Sequence, residues 1–128
     1  MVIHVDTSVL IDAFTGPRRS LEAVEAATQS GEVLTFCWLV EYEWLRGPRL
    51  PVEEAAVRDF FGEEHVVGFG QREAARAANL YRTLERTRRR QAELIIAACA
   101  LERGALLWTL NREDFADVPE LDLYQPRG

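Results

Sequence analysis

The chain has 128 residues, of which 48% are hydrophobic and 28% charged, a balance typical of one soluble globular domain. Its formal net charge of -6 argues against a protein that coats nucleic acid by bulk attraction, but it is compatible with local contacts to a few phosphates. No apolar run is long enough to span a bilayer, and the N-terminus lacks the pattern of a signal peptide. We therefore expect a single domain over residues 1–128, located in the cytoplasm and without a membrane partner.

The first half of the sequence alternates short apolar runs with helical patterns. A β-branched run opens the chain, and Gly16-Pro17 and Gly47-Pro48 are strong helix stops. The predicted elements are a strand at 2–5, a helix at 9–14, a helix at 21–30, a strand at 33–36, a helix at 38–46 and a helix at 52–61.

The second half continues the alternation. Its predicted elements are a strand at 65–67, a helix at 71–86, a helix at 93–102, a strand at 105–109 and a short last strand at 121–123. The strands are continuous apolar runs, which is typical of a parallel sheet that is covered on both faces. The sequence therefore predicts an α/β protein, a three-layer α/β/α sandwich with a parallel sheet of four or five strands.

Four acidic side chains stand where buried segments reach an edge: Asp6, Glu43, Glu93 and Asp114. Asp6 ends the first strand, and Asp114 lies just beyond the fourth. Because the carboxyl ends of parallel strands share one edge of a sheet, we expect the four acids to converge there. Carboxylates beside core segments cost folding energy unless they are compensated, and a divalent cation compensates several at once. The pattern predicts a metal-dependent active site.

Each of these acids belongs to a short motif. The motifs are Asp6-Thr7-Ser8-Val9-Leu10-Ile11-Asp12, Glu43-Trp44-Leu45-Arg46-Gly47, Glu93-Leu94-Ile95-Ile96-Ala97-Ala98-Cys99-Ala100 and Thr109-Leu110-Asn111-Arg112-Glu113-Asp114-Phe115. In this order, and together covering the whole chain, they resemble the motifs of the PIN-domain nucleases. With this length and no further domain, the chain looks most like the toxin half of VapBC toxin–antitoxin pairs.

The resemblance implies a Mg²⁺- or Mn²⁺-dependent endoribonuclease that is held inactive by a cognate antitoxin. Two positions depart from the family pattern. The third acid is usually Asp, and Glu93 carries its carboxylate roughly 1.5 Å further, which would loosen one metal position or favour Mn²⁺ over Mg²⁺. Asn111 stands where some members carry another Asp, so it can orient water but adds no charge.

The residue types fit this chemistry independently of the resemblance. Cleavage of a phosphodiester needs an activated water and relief of the charge that builds on the phosphate, and divalent cations held by carboxylates provide both. We predict that Asp6, Glu93 and Asp114 bind the metal, directly or through water. Glu43 is predicted to bridge a second ion or to orient the nucleophile.

Two other classes of function stay open. One is a PIN-like module that has lost catalysis, with Glu93 as the damaging change, and that acts as a binding partner of protein or RNA. The other is a carboxylate-metal phosphatase for small phosphoesters. The second is disfavoured because all 15 basic residues are arginines, whereas haloacid-dehalogenase-like phosphatases, response-regulator receivers, Walker A loops and Schiff-base enzymes each need a lysine.

Further candidates for substrate contacts flank the acids. Thr7 and Ser8 are predicted either to cap the first helix or to hydrogen-bond the metal shell or a phosphate. Arg88, Arg89 and Arg90, with Arg86 nearby, form a basic cluster just before Glu93. This cluster is either a solvated helix end or a grip for RNA phosphates, which arginine forks match well.

The remaining candidate ligands show no metal spacing. Cys37 and Cys99 stand among apolar neighbours and are interpreted as reduced core thiols. His4 and His65 lie in predicted strands and are interpreted as core or edge histidines.

The segment from Trp38 to Leu45 is apolar nearly all round, unlike a helix that buries a single face. We expect one side to pack on the sheet and another to contact a second chain, either a homodimer partner or an antitoxin helix. The alternative is a fully buried central helix.

Overall fold

Four parallel strands form the centre of the fold in the computed structural model, which describes residues 1–127. They are β1 (Val2–Val5), β2 (Val33–Cys37), β3 (Val66–Val67) and β4 (Leu106–Trp108). Their order in the sheet is β3-β2-β1-β4, so β1 lies between β2 and β4. Ile3 of β1 pairs with Leu34 on one side and with Leu106 on the other. The two parallel neighbours place the carboxyl ends of β1, β2 and β4 at the same edge.

Within residues 1–127, six helices flank this sheet. They are α1 (Thr7–Phe14), α2 (Leu21–Gln29), α3 (Trp38–Arg46), α4 (Pro51–Phe61), α5 (Gln71–Thr83) and α6 (Gln91–Glu102). Two 3₁₀ turns, at Glu63–His65 and Arg112–Phe115, complete the regular elements. The predicted α/β/α sandwich is confirmed. Within the residues described, no helix is both long and apolar enough to cross a membrane.

The core is continuous from the sheet into α6. Ile3 and Val5 have no exposed surface, as a strand covered on both faces requires. Helix α6 is buried from Leu94 through Ala100 except at Ile95, and it packs against α5, α3, β1 and β4. Small Ala side chains let this helix approach its neighbours closely, so its first turn is held firmly beside the sheet.

Helix α3 has two different sides. Val40 and Trp44 are buried, whereas Trp38, Tyr42 and Leu45 are 60%, 57% and 50% exposed. The alternative of a fully buried helix is therefore wrong. The exposed three lie at helical spacing and form one apolar surface, which we call the α3 face.

Several helix and strand bounds differ from expectation by one to three residues. Helix α5 ends at Thr83 and not at residue 86, because Leu84 is extended and Arg86 has a φ of 55°. Helix α6 begins at Gln91, two residues before Glu93. His65 lies in a 3₁₀ turn and not in a strand.

The predicted last strand at 121–123 is reduced to a single parallel bridge between Leu123 and Leu107. Two backbone hydrogen bonds form this bridge, from the Leu107 N–H to the Asp122 carbonyl at 2.9 Å and from the Tyr124 N–H to the Leu107 carbonyl at 2.7 Å. The segment therefore covers β4 at the sheet edge without forming a strand of its own.

Candidate active site

Asp6 is the first residue after β1, and its backbone continues the sheet for one more step. Its N–H donates to the carbonyl oxygen of Trp108 at 2.9 Å. Asp6 also occupies the N-cap position of α1, but its side chain makes no capping hydrogen bond. The Asp6 carboxylate therefore bonds to other partners.

Two hydroxyl groups hold the Asp6 carboxylate. Oδ2 accepts hydrogen bonds from Thr109 at 2.7 Å and from Ser8 at 2.8 Å. Asp6 is only 6% exposed, so these donors compensate part of the cost of burying a charged group. They also fix the direction of the carboxylate, as outer hydrogen bonds do for metal ligands.

Glu43 reaches the same region from α3. Its Oε1 accepts a hydrogen bond from the Thr7 hydroxyl at 2.7 Å, and its Oε2 lies 3.8 Å from a guanidinium nitrogen of Arg46. Neither Thr7 nor Ser8 caps α1 with its side chain. The capping interpretation of this pair is wrong, and each hydroxyl instead contacts an acid of the candidate site.

Glu93 lies in the first turn of α6 and is paired with Arg90. The Arg90 Nε donates to Oε2 of Glu93 at 3.0 Å, while its Nη1 and Nη2 donate to the two oxygens of Asp117 at 2.8 Å each. A further bond at 2.8 Å runs from Nη2 to the backbone carbonyl of Asp114. The hydrogen bond to Asp117, and secondarily that to Glu93, raises the pKa of Arg90, and the same guanidinium lowers the pKa of Asp117.

Asp114 is placed by the 3₁₀ turn that follows β4. Its N–H donates to the carbonyl of Asn111 at 3.0 Å, and the neighbouring Phe115 is buried and anchors the turn in the core. Asn111 in turn donates its backbone N–H to the Thr109 hydroxyl at 3.0 Å. One chain of hydrogen bonds therefore connects this turn with Asp6.

The four acids line a single cavity of about 270 Å³. Its described lining is Asp6, Thr7, Ser8, Glu43, Ala92, Glu93, Ile96, Asn111, Asp114 and Phe115. Four carboxylates thus face one space without a basic side chain among the lining residues that the structure describes. Such a cluster of hard oxygen donors suits Mg²⁺ or Mn²⁺, which prefer carboxylate, hydroxyl and water ligands. The donor set therefore fits a divalent metal.

A second cavity of about 500 Å³ adjoins the first and shares Glu93 and Asp114 with it. Arg86 and Arg90 line this second cavity. Arg88 and Arg89 are exposed on the loop between α5 and α6 and line neither cavity. Their predicted contact with RNA phosphate stays a prediction. Arg90, by contrast, already donates to carboxylates and a carbonyl.

Sequence reasoning assigned no role to two residues of the site. Thr109 belongs to the fourth motif, but nothing in the sequence indicates that its hydroxyl bonds to Asp6. Asp117 lies outside every motif. A signal for Thr109 was its position directly after a buried strand, the same kind of position that identified Asp6.

Carboxylates that meet beside the carboxyl ends of β1 and β4 in a parallel α/β/α sandwich are the arrangement expected of a metal-dependent hydrolase. Consistent with this, the family model described as the PIN domain matches residues 3–121. The chain therefore belongs to the PIN domain family, whose members are nucleases that generally use divalent metal ions. No curated protein sequence matches the chain significantly.

Several solved structures share the fold along nearly their whole length. DNA-bound VapBC from Salmonella typhimurium matches with a TM-score of 0.76 at 17% identity, covering 97% of both chains. VapBC2 from Rickettsia felis, bound to a DNA fragment from its promoter, matches with a TM-score of 0.74 at 16% identity, covering 97% of this chain and 98% of that chain. A toxin–antitoxin complex from Klebsiella pneumoniae gives 0.73 at 25% identity, with 98% of both chains covered.

Proposed function

We propose that this chain is a metal-dependent endoribonuclease that hydrolyses RNA phosphodiester bonds, with residues 1–128 acting as a single domain. The observation that carries the proposal is the cavity that receives Asp6, Glu43, Glu93 and Asp114 from four separate segments. Carboxylates that share one cavity in this way do so at a cost, because like charges at short range repel one another. A bound cation removes that cost.

The carboxylates of Asp6, Glu93 and Asp114 would hold Mg²⁺ or Mn²⁺, directly or through water. The cation supplies positive charge to the scissile phosphate and makes water more acidic. Asp6 is buried and fixed by two hydroxyl donors, so it is the most rigid of the three. Glu93 and Asp114 stand closer to solvent, where an RNA phosphate can approach.

The other side chains of the cavity orient the reactants. Glu43, whose Oε1 accepts a hydrogen bond from the Thr7 hydroxyl at 2.7 Å, would orient an attacking water and accept its proton, or would bridge a second ion. Ser8 fixes Asp6, and the Asn111 side chain is available to the water or the phosphate. Arg88 and Arg89, exposed on the loop before α6, would contact phosphates further along the RNA.

The structural neighbours support a more specific role. The Klebsiella structure is a toxin–antitoxin complex, and those from Salmonella and Rickettsia are VapBC structures, the kind of pair that the four motifs resemble. We propose that the chain is the toxin of such a pair, acts on RNA in the cytoplasm and is restrained by a cognate antitoxin. Its α3 face, apolar and exposed, is then a contact surface for a second copy of the chain in a homodimer.

The activity is tested with a fluorogenic RNA in the presence of Mg²⁺, Mn²⁺ or a chelator. Asp6→Asn is expected to lower the rate of cleavage by at least about 100-fold, which exceeds the loss typical when a residue that only hydrogen-bonds a metal ligand is changed. It is also expected to weaken Mn²⁺ binding in calorimetry. Asp59→Asn, an exposed acid on α4, is the matched control. Chelator-resistant cleavage, or Asp6→Asn protein as active as the control, would contradict the proposal.

The alternative of a catalytically impaired module is favoured by one observation, the pairing of Glu93 with Arg90. If that pairing withholds Glu93 from metal, the wild type is inactive with either ion, and Glu93→Asp gains activity because the shorter acid leaves the arginine. If the wild type cleaves RNA, the impaired module is excluded. Comparing the two proteins with Mg²⁺ and with Mn²⁺ also measures the metal preference that the longer side chain causes.

The homodimer is tested by light scattering. Replacing Tyr42 and Leu45 by Ser removes apolar area from the α3 face and is expected to shift the protein from dimer to monomer. Val33→Ser changes an exposed apolar residue at the start of β2, away from the α3 face, and leaves the mass unchanged. A monomeric wild type would remove the homodimer from the proposal without affecting the nuclease.

A further inference from the structure

A second group of potential metal ligands lies in the core, separate from the residues that line the acid cavity. It consists of His4 on β1, Cys37 at the end of β2 and Cys99 on α6. One ligand atom from each lies within 4.8 Å of the other two, and all three residues have 0% exposure. Three buried ligands from three elements therefore point to one position.

One nitrogen of His4 is left without a partner. Its Nδ1 lies 3.1 Å from the Thr35 hydroxyl, whereas its Nε2 is buried and bonds to nothing in the part of the chain that the structure describes. With the hydrogen on Nδ1 donated to Thr35, the Nε2 lone pair is free. An imidazole fixed by a hydrogen bond through one nitrogen, with the other available, is the usual state of a metal ligand. A buried polar atom without a partner also calls for an explanation.

We propose that His4, Cys37 and Cys99 bind one thiophilic d¹⁰ cation, Cu⁺ or Zn²⁺. Sulfur and imidazole ligands select these ions, while Mg²⁺ and Mn²⁺ prefer the oxygen ligands of the acid cavity. Metal–sulfur and metal–nitrogen bonds of the lengths found for zinc place ligand atoms roughly 3.5–4 Å apart, a spacing that small side-chain adjustments reach from the present arrangement. Zinc in structural sites is almost always four-coordinate, so a set of three ligands favours Cu⁺.

Binding changes the protonation of the sulfurs. Each metal–thiolate bond that forms releases one thiol proton to solvent, with no change in oxidation state. With both sulfurs bound as thiolates, the buried site is neutral for Zn²⁺ and carries one negative charge for Cu⁺.

The three ligands belong to the elements that place the acids of the candidate active site. β1 leads to Asp6, Cys37 directly precedes α3 with Glu43, and α6 carries both Cys99 and Glu93. A cation at this position would therefore join the three segments below the acid cavity. Because the ligands are fully buried, loading requires folding in the presence of the ion.

The test is refolding of the whole chain under anaerobic, reducing conditions with one equivalent of Cu⁺ or Zn²⁺, followed by a chelator wash and elemental analysis. We expect roughly one retained ion per chain and a higher Tm than for protein refolded without metal. A sulfur-to-metal charge-transfer band is an independent signature of Cu⁺ binding. Comparing the Cu⁺ sample with the Zn²⁺ sample identifies the ion, and retention of either ion supports the site.

Variants give the matched comparison. Cys37→Ala and Cys99→Ala are each expected to lower ion retention by about tenfold or more. His65→Gln, which changes the only other histidine, retains the ion as the wild type does. If the cysteine variants do not fold, the wild-type ion content and spectrum decide alone. The proposal would be overturned if the wild type retained neither ion, or if both cysteine variants retained as much ion as the wild type. It would also be overturned if thiol titration showed a Cys37–Cys99 disulfide after reduced folding.

Discussion

The hydroxyl of Thr109 donates a hydrogen bond to Oδ2 of Asp6 at 2.7 Å, joining two residues that lie 103 positions apart. The contact is possible because Asp6 and Thr109 follow neighbouring parallel strands, β1 and β4. The Ser8 hydroxyl lies 3.4 Å from that of Thr109 and donates to the same Asp6 oxygen. The orientation of the most buried acid therefore depends on residues of the first and the fourth motif.

Thr109→Val removes this donor and keeps the shape of the side chain. We expect cleavage activity or Mn²⁺ affinity to fall by about 10–100-fold, as for other groups that orient a metal ligand. Kinetics at several Mn²⁺ concentrations separate a loss of affinity from a loss of turnover. Thr28→Val, whose hydroxyl donates to the Val24 carbonyl within α2, is the control. Activity and affinity equal to those of the control would show that Thr109 does not position Asp6.

Arg90 is expected to matter for stability. It is 16% exposed at its side chain and makes four hydrogen bonds, three of them to carboxylate oxygens of Glu93 and Asp117. Arg90→Gln is expected to lower the free energy of unfolding by about 1–2 kcal/mol, since bonds to charged groups exceed neutral ones but Asp117 is partly screened by solvent. Urea denaturation measures the change.

The control for that prediction is Arg89→Gln, which alters an exposed arginine one position away and is expected to change stability by less than about 0.5 kcal/mol. Asp117→Asn completes a double-mutant cycle with Arg90→Gln. A coupling energy near zero would mean that the Arg90–Asp117 pair contributes nothing measurable.

The exposed arginines of the same loop lead to a different prediction. Arg88→Ser combined with Arg89→Ser is expected to weaken RNA binding and to reduce the slope of log affinity against log salt by about 1.4, roughly 0.7 for each lost phosphate contact to a single strand. Arg90→Gln leaves the slope unchanged, because its donors already bond to the protein. Fluorescence anisotropy with RNA and the inactive Asp6→Asn protein measures the slope.

The double change Arg18→Ser and Arg19→Ser, at exposed positions before α2, removes the same charge elsewhere. If it lowers the slope as much as the change at Arg88 and Arg89, the effect reflects net charge and not a phosphate contact. This outcome would remove the loop before α6 from the RNA path.

The fold could be predicted where the sequence contains strong local signals. Helix α3 ends where expected, at Arg46, because Gly47-Pro48 stops it. The predicted end of α5 was too late because no glycine or proline marks the true end, and Leu84, where the helix stops, packs against the hydrophobic core. The last segment bears a strand pattern at Leu121–Leu123, but it pairs at only one position because the sheet ends there.

The site could be predicted as far as topology determines it. Parallel strands bring Asp6 and Asp114 to one edge, so their convergence follows from the strand order. The bond from Arg90 to Asp117 does not, because it depends on how the loop before α6 turns. The same holds for His4, Cys37 and Cys99, which share no sequence spacing and meet only when β1, β2 and α6 are packed. Side chains brought together by tertiary packing alone leave no local pattern.

Glu73 provides a prediction about pH. At the start of α5 it accepts the Gly70 N–H at 2.9 Å and an Arg103 hydrogen bond at 3.0 Å. Its own backbone N–H lowers its pKa most, burial opposes this, and Gly70 and Arg103 lower the pKa further below the ordinary 4.5. A depressed folded pKa stabilises the protein above pH 4.5, and this contribution is lost as pH falls through the folded value.

Glu73→Gln is therefore expected to lower the free energy of unfolding by about 1 kcal/mol at pH 7, and by progressively less below pH 4.5, as measured by urea denaturation. Glu53→Gln, which alters the same kind of cap on α4, is the control with no arginine bond among the described residues; an equal pH dependence would show that Arg103 contributes nothing.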